Sequence, residues 1–336
     1  MKAAWVFLLG VALLASAGGS APPLSAQQQQ PPPPEQAPPI IVEVNLVNVV
    51  FSVTDRRNRQ VTGLGQDDFR VFEDNVPQTI TRFTSETNLP LHIGLLLDAS
   101  NSVRPRFQFE QEAAIDFLHT VLRPKQDEAF VISFDMTPNL EQDFTDDPQT
   151  LADAVRRVRA GGGTSLYDAV YLACKMKMAE GTGNDLRKML IVLSDGNDTA
   201  SRVSREEALE MCRRHEVTLF TVSTSAPPIK YKAETREMQN PCRVQGEEGS
   251  KILEYFAEST GGTAYCPFTT IDVGRSFERI ANQLRTQYTL AYIPTNRVRD
   301  GSFRRIAIES RRDNLRIHHR PGYYARPREE PAGERP

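Results

Sequence analysis

Strands and helices alternate over the middle of this 336-residue chain, and this alternation restricts the fold more than any other feature. Apolar stretches of strand character alternate with stretches of helical periodicity from about Leu89 to Gln287. Two of the strands, Ile93 to Leu97 and Met189 to Leu193, are continuous apolar runs, as expected of strands buried on both faces. The pattern predicts a doubly wound α/β domain, in which helices cover both sides of a mostly parallel sheet.

Four strands and six helices are predicted in this region. The strands are His92 to Leu97, Ala129 to Phe134, Met189 to Leu193 and Val217 to Val222, and the helices are Phe107 to Leu122, Leu151 to Val158, Ser165 to Met178, Arg205 to His215, Lys251 to Glu258 and Val273 to Arg285.

Two segments with the alternation of β-strands flank the α/β region. The first is Ile40 to Asn88 and the second is Tyr288 to Arg326. Neither is large enough to bury a good core alone, because small domains bury too little surface. We therefore expect the two segments to pair into one smaller β-sandwich with the α/β domain, residues 89–287, inserted between them. A change in the phase of the apolar residues predicts a bulge near Val47.

The first residues are typical of an export signal. Lys2 precedes an apolar run from Trp5 to Leu14, and small residues follow, so cleavage is expected after Ala17 or after Ala26. Residues 1–26 are thus predicted to be a signal peptide, 27–39 a Gln/Pro-rich linker and 327–336 a disordered tail. The apolar run is too short to span a bilayer and no later segment is long enough, so a secreted or periplasmic protein without a membrane span is expected.

The composition restricts the class of partner only weakly. With 39% hydrophobic and 25% charged residues the chain is typical of globular proteins. Its formal net charge of -3 provides no general attraction to nucleic acid, so we expect no nucleic-acid partner. Eight arginines between Arg297 and Arg320 alternate with apolar residues, which favours a solvated strand face over a site for polyanions.

The four cysteines are too few and too widely spaced to define a disulfide scaffold. Cys174 and Cys212 fall within predicted helices beside apolar residues, so buried free thiols are expected there. Cys242 and Cys266 flank a predicted helix, and the sequence leaves open whether they form a disulfide.

Oxygen-bearing side chains follow the two buried strands. The first strand ends in Asp98-Ala99-Ser100-Asn101-Ser102 and the second in Ser194-Asp195-Gly196, while Gly161 to Gly163 precede Thr164 between them. Ligands of open α/β sheets bind at the carboxyl ends of the strands, so these side chains are expected to converge. Oxygen ligands in this number suit a hard cation such as Mg²⁺ or Mn²⁺. The candidate metal ligands are Asp98, Ser100, Ser102, Thr164 and Asp195.

These three stretches resemble the metal-ion-dependent adhesion site (MIDAS) of von Willebrand factor A (VWFA) domains, and the flanking strands resemble the VWFA-related family described from Acidobacteria. The resemblance implies that Ser100, Ser102 and Thr164 bind the metal directly and that Asp98 and Asp195 hold it largely through water. A cation bound by neutral hydroxyls keeps much of its charge for a further ligand. The resemblance thus implies an adhesion-type module that captures an Asp or Glu carboxylate of a partner protein.

Other functions are less well supported by the sequence. No nucleophile, zinc-protease or phosphate-loop motif occurs, so a non-enzymatic protein is expected. A metal-dependent hydrolase is the alternative, and a structural module with a vestigial metal site is a third interpretation. Asp168 and Asp198 lie near the motifs, where structural roles in a helix and a turn are favoured. For the long stretch from Ser225 to Gly249, a partner-contacting loop is favoured over a mobile insert.

Overall fold

A computed structural model describes residues 46–56, 59–85, 89–179, 186–225, 242, 248–267 and 269–325. The predicted signal peptide, linker and tail lie outside the described residues, as do most of the predicted loop at 225–249 and the start of the strand that was expected to bulge near Val47. Within the described parts of the chain, no helix has the length and apolar character needed to cross a membrane.

The strands and helices are numbered here in chain order. The strands are β1 (Val47–Asp55), β2 (Phe69–Glu73), β3 (Val76–Gln78), β4 (Ile80–Thr84), β5 (Leu91–Asp98), β6 (Glu128–Phe134), β7 (Pro138–Thr145), β8 (Arg187–Ser194), β9 (Thr218–Ser223), β10 (Ala264–Tyr265), β11 (Tyr288–Tyr292), β12 (Phe303–Ser310), β13 (Leu315–His319) and β14 (Gly322–Tyr324). The helices are α1 (Phe107–Val121), α2 (Pro148–Arg157), α3 (Leu166–Leu172), α4 (Arg205–Arg214), α5 (Glu248–Glu258) and α6 (Thr270–Arg285). A 3₁₀ turn covers Gln66–Asp68, and a π-helical turn at Ala173–Lys177 continues α3.

The central sheet has six strands in the order β10-β9-β8-β5-β6-β7. All neighbours are parallel except β6 and β7, which run antiparallel at one edge. The continuous apolar runs predicted as buried strands lie in β5 and β8, at the middle of the sheet. Every residue of β8 from Met189 to Leu193 is at most 2% exposed. The predicted α/β fold class with a mostly parallel sheet is confirmed.

Helices cover both faces of this sheet. The helices α1, α2 and α6 share one core with the side chains on one face of the sheet, including Leu95 and Ile191. The helices α3, α4 and α5 share a second core with the other face, including Leu96 and Val192. Alternate residues of one strand thus enter different cores, which is why these strands are apolar throughout. Capping interactions stabilise the ends of the helices. At the start of α4, for example, Ser204 forms a capping box.

The two flanking segments form two antiparallel sheets, in the orders β13-β1-β11-β4 and β14-β12-β2-β3. Each sheet combines strands from before and after the central domain, since β1 pairs with β11 and β2 pairs with β12. The two sheets share one core, in which the rings of Phe51 and Phe69 lie 4.9 Å apart between centroids. The predicted all-β part built from both flanks is confirmed, and the limits of the domains stay a prediction.

The arginine-rich strands at the C-terminal end carry several ion pairs. Arg304 pairs with Asp300 at 3.3 Å, and Arg312 pairs with Asp68 at 2.7 Å. Ile306 and Ile308 are buried while their neighbours on β12 face outward. This alternation agrees with the interpretation as a solvated strand face.

The cysteine predictions require one correction. Cys174 and Cys212 are joined by a disulfide, so the prediction of two buried free thiols is wrong. The π-helical turn after α3 and the helix α4 lie side by side, which brings the two Cα atoms to 5.3 Å, within the normal range for a disulfide. Cys242 and Cys266 form the second disulfide, which the sequence had left open. The two bonds account for all four cysteines.

Candidate metal site

The candidate site lies at the carboxyl ends of β5 and β8. These strands are paired with Leu97 opposite Leu193, so that Asp98 ends one strand beside the end of the other. Asp98 is only 2% exposed. One of its carboxylate oxygens accepts a hydrogen bond from the Ser194 hydroxyl at 2.6 Å, and the other accepts one from the Ser100 backbone N–H at 2.9 Å. The carboxylate is therefore held in one orientation by the end of β8 and by the loop after β5.

The loop after β5 brings two hydroxyls together. The Oγ atoms of Ser100 and Ser102 are 2.8 Å apart, with Ser100 buried and Ser102 exposed. The loop is hydrogen-bonded to the glycine-rich stretch, because Gly161 N–H donates to the Ala99 carbonyl at 2.6 Å and Asn101 N–H donates to the Gly162 carbonyl at 3.2 Å. Two stretches that are about 60 residues apart in sequence thus form one surface at this edge of the sheet.

Thr164 connects the glycine-rich stretch to the loop after β8. Its backbone N–H donates to the Thr199 hydroxyl at 3.0 Å, and its carbonyl accepts from the N–H groups of Thr199 and Ala200 at 2.8 and 2.9 Å. The Thr164 side chain is buried. Gly162, with φ of +83°, makes the turn before it in a conformation that residues with a side chain rarely adopt.

Asp195 follows β8 in a tightly packed loop. One of its oxygens accepts from the Asn197 N–H at 2.9 Å, which fixes the carboxylate over the turn. Gly196 has φ of +81°, and a Cβ atom there would lie 2.1 Å from the Gly249 carbonyl oxygen at the start of α5. Only glycine fits both constraints, so the packing of α5 fixes the path of the loop that carries Asp195.

The structure thus brings all three predicted stretches together through direct hydrogen bonds. The two other nearby acids have structural contacts, in agreement with the roles favoured for them. Asp168 accepts from the N–H groups of Arg202 and Val203, while Asp198 accepts from Ser201 and from the N–H of Tyr167. Both fasten the loop after β8 to the start of α3.

One acid of this region was missed by the sequence reasoning. Glu110 lies on the buried face of α1 and is 4% exposed. Burial raises its pKa to about 8, Arg106 opposes that rise, and the negative charges of Asp98 and Asp195 add to it. The signal was present in the sequence, because Glu110 interrupts the apolar stripe of an amphipathic helix that includes Phe107 and Ala114.

The electrostatics of the site favour a bound cation. Burial raises the pKa of Asp98 to about 6, the hydrogen bonds from Ser194 and Ser100 oppose the rise, and the charge of Asp195 adds to it. Three acids with mutual repulsion therefore lie close together behind the loops. A divalent cation would offset the repulsion between Asp98 and Asp195, while Glu110, with its raised pKa, stays protonated near neutral pH.

The donor set is compatible with a hard cation. Its members are two carboxylates and three hydroxyls, with only oxygen atoms to offer, as Mg²⁺ and Mn²⁺ prefer. Within the described ranges, no group of three or more His, Cys, Asp and Glu side chains is arranged to hold a metal ion. Because three of the five candidate donors are hydroxyls, a cation here would depend on Ser100, Ser102 and Thr164 for part of its coordination.

A test of the electrostatic account is the replacement of Glu110 by glutamine. Between pH 4.5 and about 8 the unfolded chain releases the Glu110 proton while the folded chain keeps it, so the stability of the cation-free protein falls as pH rises through this window. We expect Glu110→Gln to raise the free energy of unfolding by about 2 kcal/mol near pH 6. Urea denaturation in EDTA across this range measures the effect, and an unchanged pH profile would contradict it.

The chain was compared with known proteins. Residues 93–197 match the family model described as von Willebrand factor type A domain, which confirms the predicted kind of domain over this part of the chain. The finer assignment to the Acidobacteria-type family stays a prediction. No curated protein matches the chain.

Three solved structures illustrate the similarity. Proximal thread matrix protein 1 from the mussel byssus, with a zinc-occupied MIDAS motif, is 15% identical over 63% of this chain and 50% of that chain, with a TM-score of 0.47. BatB from Bacteroides thetaiotaomicron is 15% identical over 59% and 99%, with a TM-score of 0.43. The vWF domain of the type V pili tip protein Mfa5 from Porphyromonas gingivalis is 12% identical over 58% and 95%, with a TM-score of 0.43. The chain spans half the length of the mussel protein.

Proposed function

We propose that this chain is an exported, non-enzymatic binding module that captures a carboxylate of a partner protein through a divalent cation. The cation is Mg²⁺ or Mn²⁺, and its ligands are Asp98, Ser100, Ser102, Thr164 and Asp195. One observation carries the proposal: hydrogen bonds join the three loops that bear these five oxygen side chains at the carboxyl edge of the sheet. The match of residues 93–197 to the von Willebrand factor type A domain supports the same function.

The charge of the donor set explains why the partner would be acidic. Three of the five ligands are neutral hydroxyls that would bind the cation directly. The two aspartates would hold it through water, so they would neutralise its charge only in part. An Asp or Glu of the partner would supply the missing negative charge in a charge-assisted contact. The exposed Ser102 marks the side from which a partner would approach.

Export is supported by the cysteines as well as by the N-terminal sequence. Disulfides are typical of proteins in oxidising compartments, which a secreted or periplasmic protein would occupy. The net charge of -3 gives no reason to propose nucleic acid as a partner.

Removal of the cation is the direct test of this function. We expect the immobilised chain to capture a protein from the exported fraction in Mg²⁺, to release it in EDTA and to capture it again when Mg²⁺ is restored. Amidation of the carboxylates in that fraction beforehand should abolish capture, because the last ligand of the cation would be lost. Retention of the partner in EDTA would refute the proposal. Cation-dependent turnover of a substrate would instead favour the metal-dependent hydrolase.

A further inference from the structure

A groove between α1 and α6 lies outside the candidate metal site. Its volume is about 260 Å³, and Phe117 and Phe277 form part of its apolar lining. Phe109 on α1 and Ile271 on α6 also line it, and these two large side chains are 43% and 67% exposed. Single exposed apolar residues are ordinary on protein surfaces, whereas two that border one apolar groove suggest a contact surface.

Gly274 leaves space in this groove. It lies inside α6, where glycine is less favourable than alanine because it loses more backbone entropy on folding. A Cβ atom at this position would have no other atom within 4 Å. Close packing therefore does not require glycine at this position. The missing side chain makes the groove wider.

Three carboxylates also line the groove. Glu112 and Asp116 are one helical turn apart on α1, and Glu278 lies on α6. All three are exposed, and none forms an ion pair with another residue in the part of the chain that the structure describes. Like charges four residues apart destabilise a helix, so Glu112 and Asp116 add to the negative potential of the groove at some cost to α1.

We propose that this groove docks a segment of a protein partner in which a large apolar side chain is flanked by lysine or arginine. The apolar lining would bury the apolar side chain, and the three carboxylates would pair with the flanking cations. The volume is below the range of about 300 to 1,000 Å³ that is usual for small-molecule sites, and it suits one or two side chains of a peptide segment. This surface needs no cation and is independent of the proposed metal site.

The test uses the full chain and two fluorescent peptides. One short peptide carries leucine and phenylalanine between lysines, and its twin has glutamate in place of each lysine. Fluorescence anisotropy should reveal saturable binding of the lysine peptide. The glutamate twin should bind at least about tenfold more weakly. EDTA should leave the binding of the lysine peptide unchanged, which separates this surface from the metal site.

Two variants locate the binding. Gly274→Leu fills the groove with a residue of higher helix propensity, so we expect it to abolish peptide binding without lowering the melting temperature. The double variant Glu112→Lys with Glu278→Lys should weaken binding about tenfold. Asp67→Lys with Asp313→Lys makes the same charge change at exposed residues outside the groove and should leave binding unaffected.

Three results would overturn the proposal. The first is equal binding of the two peptides, and the second is unchanged binding by a folded Gly274→Leu variant. The third comes from sedimentation of the chain alone: if the chain dimerises and Gly274→Leu makes it monomeric, a second copy of the chain occupies the groove in place of a partner.

Discussion

Replacing Asp98 with asparagine is expected to weaken Mg²⁺ binding about 100-fold while the protein stays folded. Asparagine keeps the shape of the side chain and an oxygen that can accept from the Ser100 N–H, but it lacks the negative charge. In EDTA the variant should melt at or above the temperature of the wild type near pH 7.5, because burial raises the pKa of Asp98 and makes the ionised carboxylate unfavourable. Isothermal titration calorimetry and thermal denaturation measure the two effects.

Asp198→Asn is a suitable control for this variant. Asp198 is a carboxylate of the same region, but its oxygens accept from Ser201 and from the N–H of Tyr167. Its replacement should lower stability slightly and leave the Mg²⁺ affinity close to that of the wild type. An Asp98→Asn protein that binds Mg²⁺ as tightly as the wild type would refute the assignment of Asp98 to the metal site.

The central strands of the α/β sheet could be predicted because each is marked by residues that are adjacent in the sequence. The strands β5 and β8 are buried on both faces, so each is a continuous apolar run, and the loops with the candidate ligands follow them directly. The edge strand β7, Pro138–Thr145, was missed. It is only partly buried and largely polar, because an edge strand has a neighbour on one side only.

The positions of the candidate ligands at the ends of strands could be predicted from the sequence, whereas their surroundings could be predicted only in part. Asp98 and Asp195 are placed by the ends of strands, which are visible in the sequence as the ends of apolar runs. Glu110 reaches the same region from the buried face of α1, and that position depends on how the helix packs on the sheet. The pairing of Cys174 with Cys212 likewise depends on the contact between two helical segments. This contact cannot be predicted from the spacing of the cysteines in the sequence.

Replacing both Cys174 and Cys212 with alanine is expected to lower the free energy of unfolding by about 4 kcal/mol, given their separation of 38 residues. The disulfide restricts the unfolded chain, and the entropy cost of closing a loop increases with its length. Urea denaturation of the oxidised proteins measures the difference. Dithiothreitol should destabilise the wild type more than the double variant, because only the wild type has this bond to lose.

The second disulfide provides the matched comparison. Cys242 and Cys266 are separated by 24 residues, so the loss of their bond should cost about 0.4 kcal/mol less than the loss of the first in the same entropy treatment. Thiol labelling tests the pairing itself. The wild type, unfolded without reductant, should expose no reactive thiol, whereas two reactive thiols that are absent from the double variant lacking Cys174 and Cys212 would show that these two cysteines are free and would restore the sequence-based expectation.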